Sequence, residues 1–213
     1  MQMGNYPGVY SEHGLFVCFE GGDGAGKSTQ SALLGEWLTS MGHTVVLTRQ
    51  PGGTRAGQRM REILLDPATG DLSARAEMLL YAADKAEHVD HVVIPALQRG
   101  EVVITDRFVD STLAYQGAGR ELPLADMEFI ARWATHDLRP QLTVLLDQEP
   151  GRGLDRFAEK DRIEGESADF HARVRQHFLA LAKADPSHYA VLDATASIES
   201  LHQQIRTRVE TLL

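Results

Sequence analysis

The chain predicts a doubly wound α/β sandwich, a parallel five-stranded sheet flanked by helices. Three observations carry this: short apolar runs recur along it, segments of helical spacing separate them, and several runs end in an aspartate. The runs are residues 15–19, 44–48, 102–105, 142–146 and 189–192. Each is continuous rather than alternating, as strands buried on both faces of a parallel sheet require. Of the intervening segments, residues 28–41 bring Leu33, Leu34, Trp37, Leu38 and Met41 to one face and stop at Gly42, which suits a left-handed C-terminal cap. Residues 73–100 are the longest helical candidate, with Pro95 as a kink or an end. Asp106, Asp147 and Asp193 close three of the runs. In open α/β sheets ligands bind outside the carboxyl ends of the strands, so these ends are where chemistry is expected.

At 213 residues and 43% hydrophobic content the chain can bury a sizeable core, and residues 1–213 read as a single domain. A net charge of -9 argues against a broad nucleic-acid face, which works by clustering Lys and Arg against phosphates. Cys18 is the only cysteine, so neither an intramolecular disulfide nor a cysteine-rich zinc site can form, and a cytoplasmic home is expected. Residues 1–13 are polar and lack a basic start followed by an apolar stretch. They read as a flexible extension rather than a signal peptide or membrane anchor.

The segment Gly21-Gly22-Asp23-Gly24-Ala25-Gly26-Lys27-Ser28 matches G-x-x-x-x-G-K-[ST], follows the first predicted strand and opens the first predicted helix. Glycines let such a loop curl until successive N–H groups face phosphate oxygens, and the positive end of the following helix adds to the field. Lys27 would reach the β- and γ-phosphates, and the Ser28 hydroxyl would bind Mg²⁺. The fold is therefore read as that of the P-loop nucleotide-binding proteins. A GTPase of this fold needs an Asn-Lys-x-Asp guanine motif, and the sole asparagine is Asn5. A motor or transporter ATPase needs further domains, so small kinases remain. Asp106-Arg107 then offers a carboxylate that can hold Mg²⁺ through water beside a guanidinium that can grip phosphate oxygens bidentately.

With these stretches the sequence resembles the thymidylate kinase family in its bacterial form. The likeness rests on five of them: Phe19-Glu20-Gly21 through Thr29, Thr48-Arg49-Gln50-Pro51-Gly52-Gly53-Thr54, Asp106-Arg107-Phe108, Ser111-Thr112-Leu113-Ala114-Tyr115-Gln116-Gly117 and Asp161-Arg162-Ile163-Glu164. The resemblance implies a nucleoside-monophosphate kinase that moves the γ-phosphoryl group of ATP to dTMP with Mg²⁺, on the route to dTTP, and that works as a homodimer. It implies that Gly21 to Thr29 hold ATP, including Ala25 and Gly26, that Asp23 faces the acceptor sugar, and that Arg49 grips the acceptor phosphate. Gln50 stands where the family usually has Glu, and Tyr81 and Lys85 stand where it usually has Phe and Arg. Tyr81 can still stack on a pyrimidine, whereas Lys85 offers a point charge without the planar fork.

Thr112, Tyr115 and Gln116 are similar to the family's base and sugar contacts, Tyr115 crowding the ribose 2′ side. Residues 151–163 resemble its lid, and Arg152, Arg156 and Lys160 recur at intervals of four, so that on a helix they would share a face. Asp155 and Glu159 could neutralise them, which leaves a plain solvated face as the alternative. Because Asp23-Gly24-Ala25 holds no arginine, the catalytic cation of the migrating phosphoryl group would come from the lid, together with Lys27 and Arg107. Two further readings remain open at this point: a deoxynucleoside kinase, and a nucleotide-binding module without turnover.

Overall fold

In a strand successive side chains face opposite ways, and the first apolar run uses both directions for burial. Phe16 and Cys18 enter one apolar cluster, Val17 and Phe19 another, and all four are buried. The computed structural model describes residues 8–150, 152–153 and 160–213. Its strands are β1 (Phe16–Gly21), β2 (Val45–Arg49), β3 (Val102–Asp106), β4 (Leu142–Asp147) and β5 (Tyr189–Asp193), all parallel, in the order β2-β3-β1-β4-β5. The helices in chain order are α1 (Lys27–Ser40), α2 (Arg55–Leu65), α3 (Ala74–His88), α4 (Ile94–Gln98), α5 (Val109–Thr112), α6 (Leu124–Ala134), α7 (Ala168–Ala184) and α8 (Ile198–Glu210).

Helices cover both faces of the sheet. On one, Val17, Phe19, Ile104 and Val144 meet Leu34 and Leu38 of α1 and Leu201, Ile205 and Val209 of α8. On the other, Phe16, Cys18 and Val103 meet Val89, Val93 and Leu97, while Leu145 meets Phe170, Val174 and Phe178 of α7. Truncating Phe19, which is fully buried, would cost about 3–5 kcal/mol. Continuous burial holds for β1, β3 and β4 but not for the outer strands. β2 and β5 lie at the sheet edges, where Leu47 and Val191 are about half exposed, because an edge strand has one flank with no neighbour to cover it.

The segment expected to be one long helix is α3, a π-helical turn over Val89–Val93, and α4. Pro95 has no N–H to give the carbonyl of His91, four residues back, and its ring crowds that carbonyl. The chain widens instead, the Ile94 N–H bonding Val89 O five residues back, and continues past the proline. α1 closes as expected, with Gly42 at φ 92 just beyond its last turn. Within the stretch read as a flexible extension, Val9 exchanges backbone bonds of 2.8 Å with Asp137 and Arg139.

Parallel register gathers the functional ends. Phe19 pairs with Asp106 and Val144, Arg49 with Asp106, and Gly21 with Leu146, so the loops leaving β1, β2, β3 and β4 share one rim.

Candidate functional site

The phosphate loop leaves β1 at Gly21, whose φ of 131 is open only to glycine. A Cβ there would lie 2.3 Å from Leu146 O. Gly24, at φ 72, sits against the backbone of Gly153, and a Cβ would meet Gly153 O at 2.4 Å. α1 then begins after Gly26 with no side-chain cap, so its leading N–H groups are available to an anion. Lys27 is buried and folds back to donate to Gly21 O (3.0 Å) and Gly22 O (2.7 Å). Burial, helped by Arg107, lowers its pKa, against the pull of the Asp106, Asp23 and Glu20 carboxylates. Ser28 Oγ donates to Asp106 Oδ2 at 2.7 Å, bringing together the two residues read as Mg²⁺ ligands. Both are hard oxygen donors beside the phosphate loop, which is the donor chemistry Mg²⁺ takes.

A second cavity, about 110 Å³, opens alongside. Asp23, Tyr81, Lys85, Arg107, Thr112, Tyr115 and Gln116 all line it, so the described structure assembles residues from three distant segments that the sequence had grouped by role. Arg107 is the hub. It adopts φ 71 at the end of β3, a left-handed conformation costly for a side chain of this size, and is pinned there by Arg107 N donating to Phe19 O at 2.9 Å. Its guanidinium pairs with Asp23, donates to Ser111 Oγ (3.0 Å) and Tyr115 Oη (3.1 Å), and lies over the Tyr115 ring. The Tyr115 hydroxyl in turn donates to Asp23 Oδ2 at 3.1 Å. Burial opposes the Asp23 charge, but Arg107 and Lys27 outweigh it and hold the carboxyl down to about 2.

Beneath this hub Glu20 is fully buried and accepts from Phe108 N (2.8 Å), Ser111 N (3.1 Å) and Ser111 Oγ (2.6 Å), tying α5 to β1. On the far wall Lys85 is buried, with Nζ 5.6 Å from the centre of the Tyr81 ring, and burial brings its pKa down to about 8. Gln50, where the family usually has a charge, shares a bond of 2.8 Å with His88 Nδ1, whose other nitrogen meets Thr48 Oγ1 at 2.7 Å. Burial, with Lys85 nearby, depresses the His88 pKa to about 4 and keeps it neutral, so a neutral amide suits this partner. Gly52 N donates to Asp84 Oδ1 at 2.8 Å, holding the turn after β2 against α3.

Some expectations are redistributed. Arg49 is exposed and does not line the cavity; Arg61, which no periodicity singled out, does. Arg61 Nη1 donates to Pro51 O at 3.1 Å, and burial together with the charge of Arg49 lowers its pKa, so two guanidiniums crowd this mouth. Arg152 sits in a turn, and the backbone of Gly153 beside it lies against the phosphate loop. Lys160 is exposed and lines neither cavity, and Arg156, with Asp155 and Glu159, lies outside the described residues. A third hollow, about 270 Å³, runs from Ala25, Gly26 and Thr29 past Gln148 and Arg152 to Thr195 and Ala196. Gln148, which donates to Asp23 O at 3.1 Å, and the turn after β5 were not read from the sequence; the aspartate closing that strand was the available signal. A largely apolar cavity of about 120 Å³ behind α5, among Phe108, Leu113 and Leu138, is lined by no residue of the phosphate loop.

The family model described as thymidylate kinase matches residues 19–205. The chain is 56% identical to the thymidylate kinase of Cutibacterium acnes, covering 94% of this chain and 98% of the relative. With that of Clavibacter sepedonicus it shares 52%, over 94% and 96%. The crystal structure of thymidylate kinase from Ehrlichia chaffeensis superposes with a TM-score of 0.74 at 30% identity, covering 94% of this chain and 99% of that one. With its P-loop opening into an arginine-hubbed cavity, and with relatives matched over nearly their full length, the chain belongs to the thymidylate kinase family.

Proposed function

We propose that the protein transfers the γ-phosphoryl group of ATP to dTMP, giving ADP and dTDP. The observation that carries this reading is that Asp23 of the phosphate loop pairs with Arg107 and that both line the adjoining cavity, which would set donor and acceptor side by side. ATP lies with its phosphates in the loop and its base toward Thr195 and Ala196; dTMP lies in the cavity against Tyr81, with its phosphate toward Arg107 and Arg61, and Arg49 outside the cavity adds its charge beside Arg61. Ser28 and Asp106 would hold Mg²⁺, which supplies charge neutralisation at the phosphate oxygens.

Phosphoryl transfer asks for in-line placement and for cations around the migrating group. Lys27 leaves the loop carbonyls for the incoming phosphates, and Arg107 stands between the two substrates. The acceptor phosphate is already anionic at neutral pH and needs no base. Asp23, engaged by Arg107 and Tyr115, serves the acceptor sugar rather than deprotonating a hydroxyl, which disfavours a nucleoside acceptor.

Two copies of the chain pair through α3 and α6, where Leu79, Phe129 and Trp133 are 58%, 71% and 75% exposed, an apolar face that association would cover. No helix among the described residues is long and apolar enough to cross a membrane, and we assign the protein to the cytoplasm. An ADP-release assay with dTMP, dUMP, dCMP, dGMP and thymidine as acceptors tests the function. Turnover greatest with dTMP supports it; greater turnover with thymidine, or none with any monophosphate, overturns it.

A further inference from the structure

Glu77 lies in the first turn of α3, where an acidic residue is ordinarily a solvated partner of the helix dipole. Here it is fully buried, and four donors surround it. Its Oε1 accepts from Gln116 Nε2 at 2.9 Å and Arg120 Nε at 3.1 Å; its Oε2 accepts from Arg120 Nη2 at 3.0 Å and from Arg162 Nη2. Burying a carboxylate is costly unless its charge and lone pairs are met, and these are. Burial opposes ionisation, yet the bonds from Arg120, Gln116 and Arg162 outweigh it and lower the Glu77 pKa.

We propose that Glu77 is the positioning residue that sets base specificity in the acceptor cavity, by locking the Gln116 amide with its NH₂ turned away and its carbonyl oxygen turned toward the base. An ionised carboxylate only accepts hydrogen bonds, so the amide can face it in one orientation alone. Gln116 lines the cavity one turn from Thr112, and the Thr112 hydroxyl oxygen is buried with no partner among the described residues. The Gln116 Oε1 thus offers a fixed acceptor. It matches the N–H of a thymine or uracil imide and opposes the bare ring nitrogen of cytosine, where two acceptors would meet. An unpaired polar edge in a buried site is a strong basis for rejection. The same carboxylate holds Arg162, whose Nε donates to Leu64 O at 2.8 Å and whose own N–H donates to Leu65 O, so the chain following the Arg152 turn is anchored at the point that sets the base edge. This inference rests on reading the cavity as the base pocket.

The test compares kcat/KM for dTMP and dCMP in the wild type, Glu77→Gln and Gln116→Ala. A glutamine at 77 can donate as well as accept, which frees the Gln116 amide to turn. The inference expects the dTMP-to-dCMP ratio to fall at least tenfold in Glu77→Gln; a merely structural loss would lower both activities together and leave the ratio unchanged. A ratio within twofold of wild type in a folded Glu77→Gln, alongside a collapsed ratio in Gln116→Ala, overturns the role of Glu77 alone. An unchanged ratio in Gln116→Ala overturns the base-pocket reading and this inference with it. Should Glu77→Gln not fold, the Gln116 side-chain NH₂ protons of the wild type decide by NMR. Slow solvent exchange of these protons, both with and without dTMP, supports the lock; rapid solvent exchange refutes it.

Discussion

The phosphate loop and the cavity proposed for the acceptor adjoin, yet they are built on opposite principles. The loop is one contiguous stretch whose shape follows from glycines at φ 131, 72 and 96 and from a lysine folded onto its own carbonyls. The cavity is gathered from Asp23 of the loop itself, the turn after β2, α2, α3, the region from Arg107 to Gln116 and residues 161–164, and part-buried charge pairs brace it. The loop's geometry is therefore local and the cavity's is tertiary. A change in the loop should remove chemistry while sparing the fold, whereas a change in the cavity should disturb both.

The largest effect expected is at Lys27. Lys27→Ala should lower kcat by on the order of a thousandfold with Mg-ATP while leaving the urea midpoint close to wild type. A comparable fall in stability would break the contrast. At Arg107 the two kinds of loss should appear together. Arg107→Ala takes the guanidinium from the half-buried Asp23 carboxylate, so the expectation is a drop in kcat of about a hundredfold or more together with roughly 1–2 kcal/mol of stability in urea unfolding. Arg61→Ala should be milder, raising the KM for dTMP about tenfold with kcat within a few-fold, as for loss of one charged hydrogen bond to a phosphate.

The smallest effect sharpens the comparison by pH. The Lys85 pKa is lowered to about 8, so the side chain is cationic below that pH and neutral above it. If its charge serves dTMP, KM should rise a few-fold as pH climbs through 8, and Lys85→Arg, which stays charged, should flatten that limb. A KM profile equally flat in both proteins would remove Lys85 from acceptor binding.

The same contrast explains what could be read from the chain beforehand. The inner strands were legible because β1, β3 and β4 bury every side chain save the last aspartate of β3 and β4, and the phosphate loop was legible because its residues are adjacent in sequence. Tyr81, Lys85, Thr112 and Gln116 were found through family resemblance; nothing in their spacing reveals that they face one another. Arg61 and Glu77 were missed because each looks like an ordinary polar residue on an amphipathic helix until the fold closes around it. Of the basic residues spaced after β4, Arg152 lies in a turn and Lys160 is exposed, while Arg156 lies outside the described residues.

Gly24 and Gly153 touch backbone to backbone, and Gly153 also lies so close to Asp23 O that a Cβ would sit 2.1 Å from it. Neither strand of this contact has a side chain to yield, so the gap between the loop and the chain passing over it has a hard floor. One methyl on either side would act as a wedge under a hatch, and the headroom above the phosphates would be set by that wedge rather than by the nucleotide beneath.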